Sequence, residues 1–441
     1  MKMKQQNRYW QARLYMPCRM NFWLFLIVVV ALYLSTFSLN AQTQSRTELL
    51  QQKRLEKSKN LKPYEPGKLE KLLLFVETFP FEEIFEEGYK GFTPMIGGLK
   101  SGAGAGGGIL FQPTDDLDKL YFSAKAAFSI HAYQDFQAIL GYELGKINTF
   151  AFAQYRVSPL ENFYGIGENG LNENRTSYKL DDTYFGGLIS FRPFSFLSAY
   201  LQTCYSKFTV GVGEREEFPS IEEIFTETTA PGLTQDIEYF ITTAKLEFDT
   251  RKVETNKYSA LNQALLDDPL RERSANPDKG TYIAFKASQF KDRDNGFYDF
   301  VRIDFEVLQL FSMYYGSRVF AFRNLISFVD KKEPDIVPFY LMQPLGGSMS
   351  LRGYEEFRFR DLNTLLFNIE YRWMAWSGLD IALFYDAGKS FAEKDEFSFE
   401  NLKTDYGIGF RFNTDNSVWL RFDIAHGDEG MNYILKFDNI F

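Results

Sequence analysis

Residues 344–361 read PLGGSMSLRGYEEFRFRD: two adjacent glycines, a Leu-Arg-Gly-Tyr box at 351–354, then alternating acids and bases. The text on either side is of another kind. Downstream, Phe367, Ile369, Tyr371 and Trp373 alternate with Asn368, Glu370 and Arg372. Upstream, Val301, Ile303, Phe305 and Val307 alternate with Arg302, Asp304 and Glu306, and near the C-terminus Val418, Leu420, Phe422 and Ile424 alternate with Trp419, Arg421 and Asp423. A period of two is the period of a strand, so each segment carries an apolar face and a charged one. The glycine- and charge-rich stretch is thus a loop set between strands of that kind.

The charged face needs an enclosure, and the start of the chain says where. Lys2, Lys4, Arg8, Arg13 and Arg19 precede an apolar run from Phe22 to Leu34 and a stretch of small residues ending at Ala41. This order reads as a secretory signal peptide, residues 1–41, because the run is short of the ~20 apolar residues that a spanning helix needs. Its removal leaves 44 Lys+Arg against 58 Asp+Glu, a net charge of −14, which speaks against a nucleic-acid partner. Cys18 leaves with it, so Cys204 remains alone and no internal disulfide is expected. Aromatic residues make up 17% of the chain although the mean hydropathy is negative. A transmembrane barrel reconciles the two, since only every second residue meets lipid and aromatics gather in the lipid-facing band.

Residues 42–85 are polar and helix-forming and are expected to be a short helical lead-in on the periplasmic side. From residue 86 to 441 the alternation supports sixteen strands: 86–99, 102–112, 119–130, 135–144, 148–158, 178–192, 195–210, 236–250, 279–291, 297–311, 316–329, 364–374, 379–388, 403–412, 416–426 and 431–441. The expectation is an all-β, sixteen-stranded antiparallel transmembrane β-barrel, whose even strand number brings both ends to one side and removes free edges. Long connections at 159–177, 211–235 and 330–363 fall outside. The connection 251–278 is long on the periplasmic side and has no evident purpose.

Other motifs lack the context their chemistry requires. The glycine run 101–108 has no Gly-Lys-Ser/Thr after it and opens no helix, and Asp386-Ala-Gly-Lys-Ser390 has Leu383 where a phosphate loop needs its first glycine. Gly346 to Ser350 lacks the last glycine of a nucleophile elbow. Two histidines, His131 and His426, and one mature cysteine do not make a zinc site. Acidic runs such as Glu222-Glu223 read as solvated loop faces. No catalytic constellation, cofactor or metal is expected.

The loop 344–361, with FDTR at 248–251, PDKG at 277–280, FYDAG at 384–388 and a terminal aromatic at Phe441, resembles the BamA/TamA (bacterial surface antigen) superfamily of outer-membrane barrels. That resemblance implies a loop arginine tucked into the barrel against acids of the inner wall. Strand parity names the acids: Glu370 lies opposite in parity to Phe367 and Ile369, and Asp386 opposite to Leu383 and Tyr385. The expected contact is therefore Arg352, with Gly353 beside it, against Glu370 and Asp386. Tyr433, Leu435, Phe437 and Phe441 resemble a terminal assembly signal, and Gly102, Gly104 and Gly106 lie by the seam where the first and last strands meet. The family carries periplasmic POTRA modules before its barrel; residues 42–85 are too few for one, which implies a barrel-only member. The implied function is insertion or translocation of proteins or lipids, with outer-membrane lipids, unfolded outer-membrane proteins and a separate periplasmic protein as partners. The alternative is a passive pore or surface antigen with the same fold.

Overall fold

The computed structural model describes residues 92–96, 106–111, 119–167, 170, 172–213, 215, 217–251, 276–314, 316–376, 378–413 and 418–436. The expected signal peptide, the lead-in 42–85, Gly102, Gly104, Phe437 and Phe441 lie outside the described residues.

The first strands are β1 Phe92–Ile96, β2 Gly106–Phe111, β3 Leu120–Ser129, β4 Gln134–Leu144, β5 Ile147–Phe163 and β6 Thr176–Phe194. Then come β7 Leu197–Val212, β8 Ile237–Asp249, β9 Gly280–Asp292, β10 Phe300–Met313 and β11 Arg318–Asp330. Two short strands lie inside the long loop, β12 Gln343–Leu345 and β13 Phe359–Asp361. The chain continues with β14 Asn363–Trp376, β15 Leu379–Phe391, β16 Lys403–Asn413, β17 Val418–Gly427 and β18 Gly430–Lys436. All but β12 and β13 form one sixteen-stranded sheet in chain order, with β14 pairing directly with β11. Neighbours are antiparallel throughout, and β1 and β18 are the two ends of the order.

The sheet is inside-out by the standard of a water-soluble protein. Phe185, Leu201, Leu246 and Tyr433 are more than half exposed, while Arg323, Arg352, Arg411 and Arg421 are fully buried. Burying charge while presenting large apolar side chains outward is favourable only where the outside is hydrocarbon and the inside is polar. No helix among the described residues is long and apolar enough to cross a membrane, so the strands are the spanning elements. The loop between β11 and β14 touches β6 through Arg360 and Tyr178, and β18 through Asn432. Strands so far apart in the sheet order reach one loop only if the sheet curls around it, which is the barrel geometry.

Tight connections join β4 to β5, β6 to β7 and β14 to β15 at one end. At the other end long segments, among them 213–236 and 331–362, fold over the mouth. Their apolar residues, including Ile221, Leu233, Val337 and Phe339, join Phe163, Tyr178, Phe208 and Tyr239 of the wall in one buried cluster. The strands cut into the expected loop 159–177 at both ends: β5 runs on to Phe163 and β6 starts at Thr176, which leaves a shorter connection between them. Pro159, which argues for a strand end, sits in a bulge where the register shifts between Ser158 and Glu161. The extension places Phe163 and Tyr178 against Phe339 of the loop.

Candidate functional site

The site is built from the loop inward. β12 and β13 pair as a ribbon, Gln343 opposite Asp361 and Leu345 opposite Phe359, which brings both legs of the loop together inside the barrel. Gly346 and Gly347 then turn the chain with φ of 109° and 89°, a region that side chains strain to enter. The turn is locked by Gly347 N donating to the carbonyls of Leu351 and Tyr354, each at 3.0 Å. Ser350 Oγ accepts from Gly346 N at 2.8 Å. Beneath it Leu345, Leu351, Tyr354 and Phe359 pack with Leu325 and Leu366 of the wall. With Leu351 held in that cluster, the Arg352 side chain is carried to the wall of β14 and β15.

Arg352 makes a two-pronged contact with Asp386: Nε donates to Oδ2 at 2.7 Å and Nη2 to Oδ1 at 2.8 Å. Its Nη1 donates to Glu370 Oε2 at 2.6 Å, and its guanidinium carbon lies 3.5 Å from the ring centre of Phe384. Arg352, Glu370 and Asp386 are all fully buried. A planar fork over an aromatic face and across two carboxylates is a geometry that lysine cannot reproduce. Arg411 Nη2 donates to the same Glu370 oxygen at 2.9 Å, and its Nη1 reaches Asp423. Asn368 donates to Asp386 at 2.8 Å and to the Ser350 carbonyl at 2.7 Å. Arg421 donates to the Ser348 carbonyl at 3.0 Å and Arg323 to that of Met349 at 2.9 Å.

The loop is also fixed to the far end of the sheet. Asn432 on β18 donates to the carbonyls of Arg352 and Tyr354 at 2.9 and 3.0 Å. Arg358 pairs with Glu429, in the turn from β17 to β18, at 2.7 Å. Gly353 is pressed so close to the wall that a Cβ would lie 2.4 Å from the Asp405 Cβ. At the tight-turn end, Arg372 donates to the Pro277 carbonyl at 3.1 Å and Asn276 donates to Asn413 at 3.1 Å. The residues just after 252–275 therefore enter the lumen's lower end, although 252–275 itself lies outside the described residues.

The structure thus brings Arg352, Glu370 and Asp386 into direct contact, with Gly353 against β16. Gly106 is elsewhere, on β2 opposite Ser129, and Tyr433 and Leu435 are exposed on β18. Sequence reasoning missed Asn368, Arg411, Arg421, Asp423 and Asn432. The same parity rule, carried into β16, β17 and β18, places the charged members of this set on the inner face. The arrangement is a buried lattice of charge-assisted hydrogen bonds, and what it does is fasten a loop.

The sequence pattern of the Omp85 superfamily domain matches residues 198–431, which spans β7 to β17 and ends just inside β18. Among solved structures, BamA from Haemophilus ducreyi lacking POTRA domains 1-3 aligns with a TM-score of 0.55 at 12% identity, over 79% of this chain and 70% of that one. CdiB from Acinetobacter baumannii aligns at 0.44 and 9% identity over 78% of this chain and 57% of that one. CdiB from Escherichia coli aligns at 0.48 and 10% over 78% and 61%. No curated protein matches the chain. The matched span holds more than half of the sequence and includes the loop, its buried arginine and the wall that receives it, and the chain belongs to the Omp85 superfamily of outer-membrane β-barrels.

Proposed function

We propose that this barrel assists the insertion or translocation of proteins or lipids at the outer membrane, without covalent chemistry. The observation that carries this reading is that one loop, fixed by Arg352 to β14 and β15, is also hydrogen-bonded to β18 at the end of the sheet. The loop would keep the lumen filled while the meeting line of β1 and β18 remains able to part. β1 supports this, because Pro94 at its centre supplies no N–H to either neighbour. An incoming strand could then pair with the exposed edge, the general mode of strand addition. The partners would be unfolded outer-membrane proteins or lipids and a separate periplasmic protein that delivers them.

The test is depletion of the protein followed by a census of outer-membrane proteins and lipids. Selective loss of one class, restored by re-expression, is the expected result. An unchanged census gives way to the passive pore or surface antigen.

A further inference from the structure

Among the described residues two parts of the chain enter the lumen, one from each end. The first is the loop that carries Arg352. The second leads out of the connection between β8 and β9, whose two legs are pinned together at the wall. Thr250 N donates to the Thr281 carbonyl at 2.8 Å. Arg251 pairs with Asp249 at 2.8 Å and lies 4.5 Å from the ring centre of Tyr282. Residues 276–278 lead into β9 but are bound elsewhere. Asn276 donates to Asn413 at 3.1 Å and to Asp380 at 3.5 Å. Arg372 donates to the Asn276 side-chain oxygen and, at 3.1 Å, to the Pro277 carbonyl. Arg372, Asp380 and Asn413 lie on β14, β15 and β16, which stand three, four and five places from β9 in the sheet order. All three side chains are buried on the inner face, so the segment that binds them lies across the mouth of the barrel.

The two insertions share one carboxylate. Glu370 Oε2 accepts from Arg352 Nη1 at 2.6 Å. Its Oε1 accepts no hydrogen bond among the described residues and faces Arg372 Nε at 3.8 Å. Glu370 and Arg372 are two residues apart on β14 and therefore neighbours on one face of it. Arg372 is 2% exposed, and a buried guanidinium keeps its charge. The oxygens of Asn276 and Pro277 hold it on the side away from Glu370. Without them it would close on Glu370 to hydrogen-bond length, a movement of about 1 Å. That pull draws the carboxyl away from Arg352.

We propose that residues 276–278 are a second fastening, at the tight-turn end of the lumen, and that Arg372 is a positioning residue that couples it to the fastening of Arg352 through Glu370. The long connection between β8 and β9 thereby gains a purpose: its end steadies the loop from the opposite mouth. The coupling stands independently of any insertion role. By linkage it runs both ways, so freeing Arg352 loosens 276–278.

The test uses full-length protein in a Cys204→Ser background, purified from membranes in detergent, and reads the rate at which a maleimide labels one buried thiol. Ser348→Cys reports the loop, since Ser348 is 1% exposed. Val319→Cys reports the other end, where Val319 is 7% exposed and lines a small cavity with Asn276 and Pro277. Asn276→Ala should speed labelling of the Ser348→Cys thiol about fivefold or more, the lower end of ordinary coupling between sites. Arg372→Gln in the same chain should cancel that increase, because no guanidinium is left to draw on Glu370. Arg352→Ala should speed labelling of the Val319→Cys thiol, an arm that stands even if Arg372→Gln does not fold. Cys204 of the otherwise native chain, on β7, should label in Asn276→Ala as slowly as in the wild type. An unchanged Ser348→Cys rate in Asn276→Ala, an increase that survives Arg372→Gln, an unchanged Val319→Cys rate in Arg352→Ala, or an equal rise at Cys204 overturns the proposal.

Discussion

At the scale of single residues the account rests on Arg352. Removing one partner from a buried ion pair costs ~3–5 kcal/mol, because the remaining charges keep their burial and lose their compensation. Arg352→Ala would leave Glu370 and Asp386 facing a vacated pocket. It should loosen the loop, seen as faster proteolysis within 344–361 or higher conductance in planar bilayers, while the barrel still forms. Arg352→Lys should fall close to Ala, since one ammonium cannot serve both oxygens of Asp386 and Glu370 together. Wild-type proteolysis and conductance in Arg352→Ala would show the contact to be dispensable. Gly353→Ala is a separate route to the same state, because its Cβ would lie 2.4 Å from that of Asp405 and lift the loop from β16. Overpacking of this kind costs ~1–3 kcal/mol. The placement of Glu370 and Asp386 on the inner face was legible from parity alone. The hydrogen bonds from Asn368 and Asn432 were not, because a neutral amide on an inward position carries no charge pattern that points to a partner.

At the scale of elements, the strands and their order could be read from the two-residue period, and the errors lie where long-range packing overrides local text. Pro159 reads as a strand end, yet a bulge absorbs it and the strand continues because Phe163 finds Phe339 of the loop. The β12·β13 ribbon is three residues on each side, too short to show a period. Beside its apolar contacts, segment 213–236 is tied together by one carboxylate. Glu227 accepts from Gly232 N at 2.6 Å, Thr234 N at 2.8 Å and the Tyr298 hydroxyl at 3.1 Å. Burial pushes this carboxyl up, but the donors outweigh it and hold it below the ordinary 4.5. With the folded value depressed, its stabilisation is fully present above pH 4.5 and is lost as the pH falls below that, through the folded value. Proteolysis of this segment should therefore accelerate on acidification in the wild type. In Glu227→Gln it should be fast already at neutral pH and respond less to acid. Equal pH profiles for the two proteins would remove Glu227 from the account.

At the scale of the whole molecule, the inside-out distribution of charge and apolar surface defines the protein, and composition foreshadowed it: many aromatics in a chain of negative mean hydropathy. What composition could not supply is the order of the strands, with β1 and β18 at the two ends of the sheet. The barrel should be heat-modifiable, migrating differently on a denaturing gel with and without boiling, and its circular dichroism should be that of a β protein. The central claim is that β1 and β18 part in service of a client, and a cysteine pair placed across them in a Cys204→Ser background tests it most directly. In cells depleted of the native protein, the oxidised, locked barrel should fail to restore the outer-membrane proteins or lipids lost on depletion, and reduction should bring the rescue back. A locked barrel that rescues as fully as the reduced one would contradict the claim and leave a closed pore or surface antigen in its place.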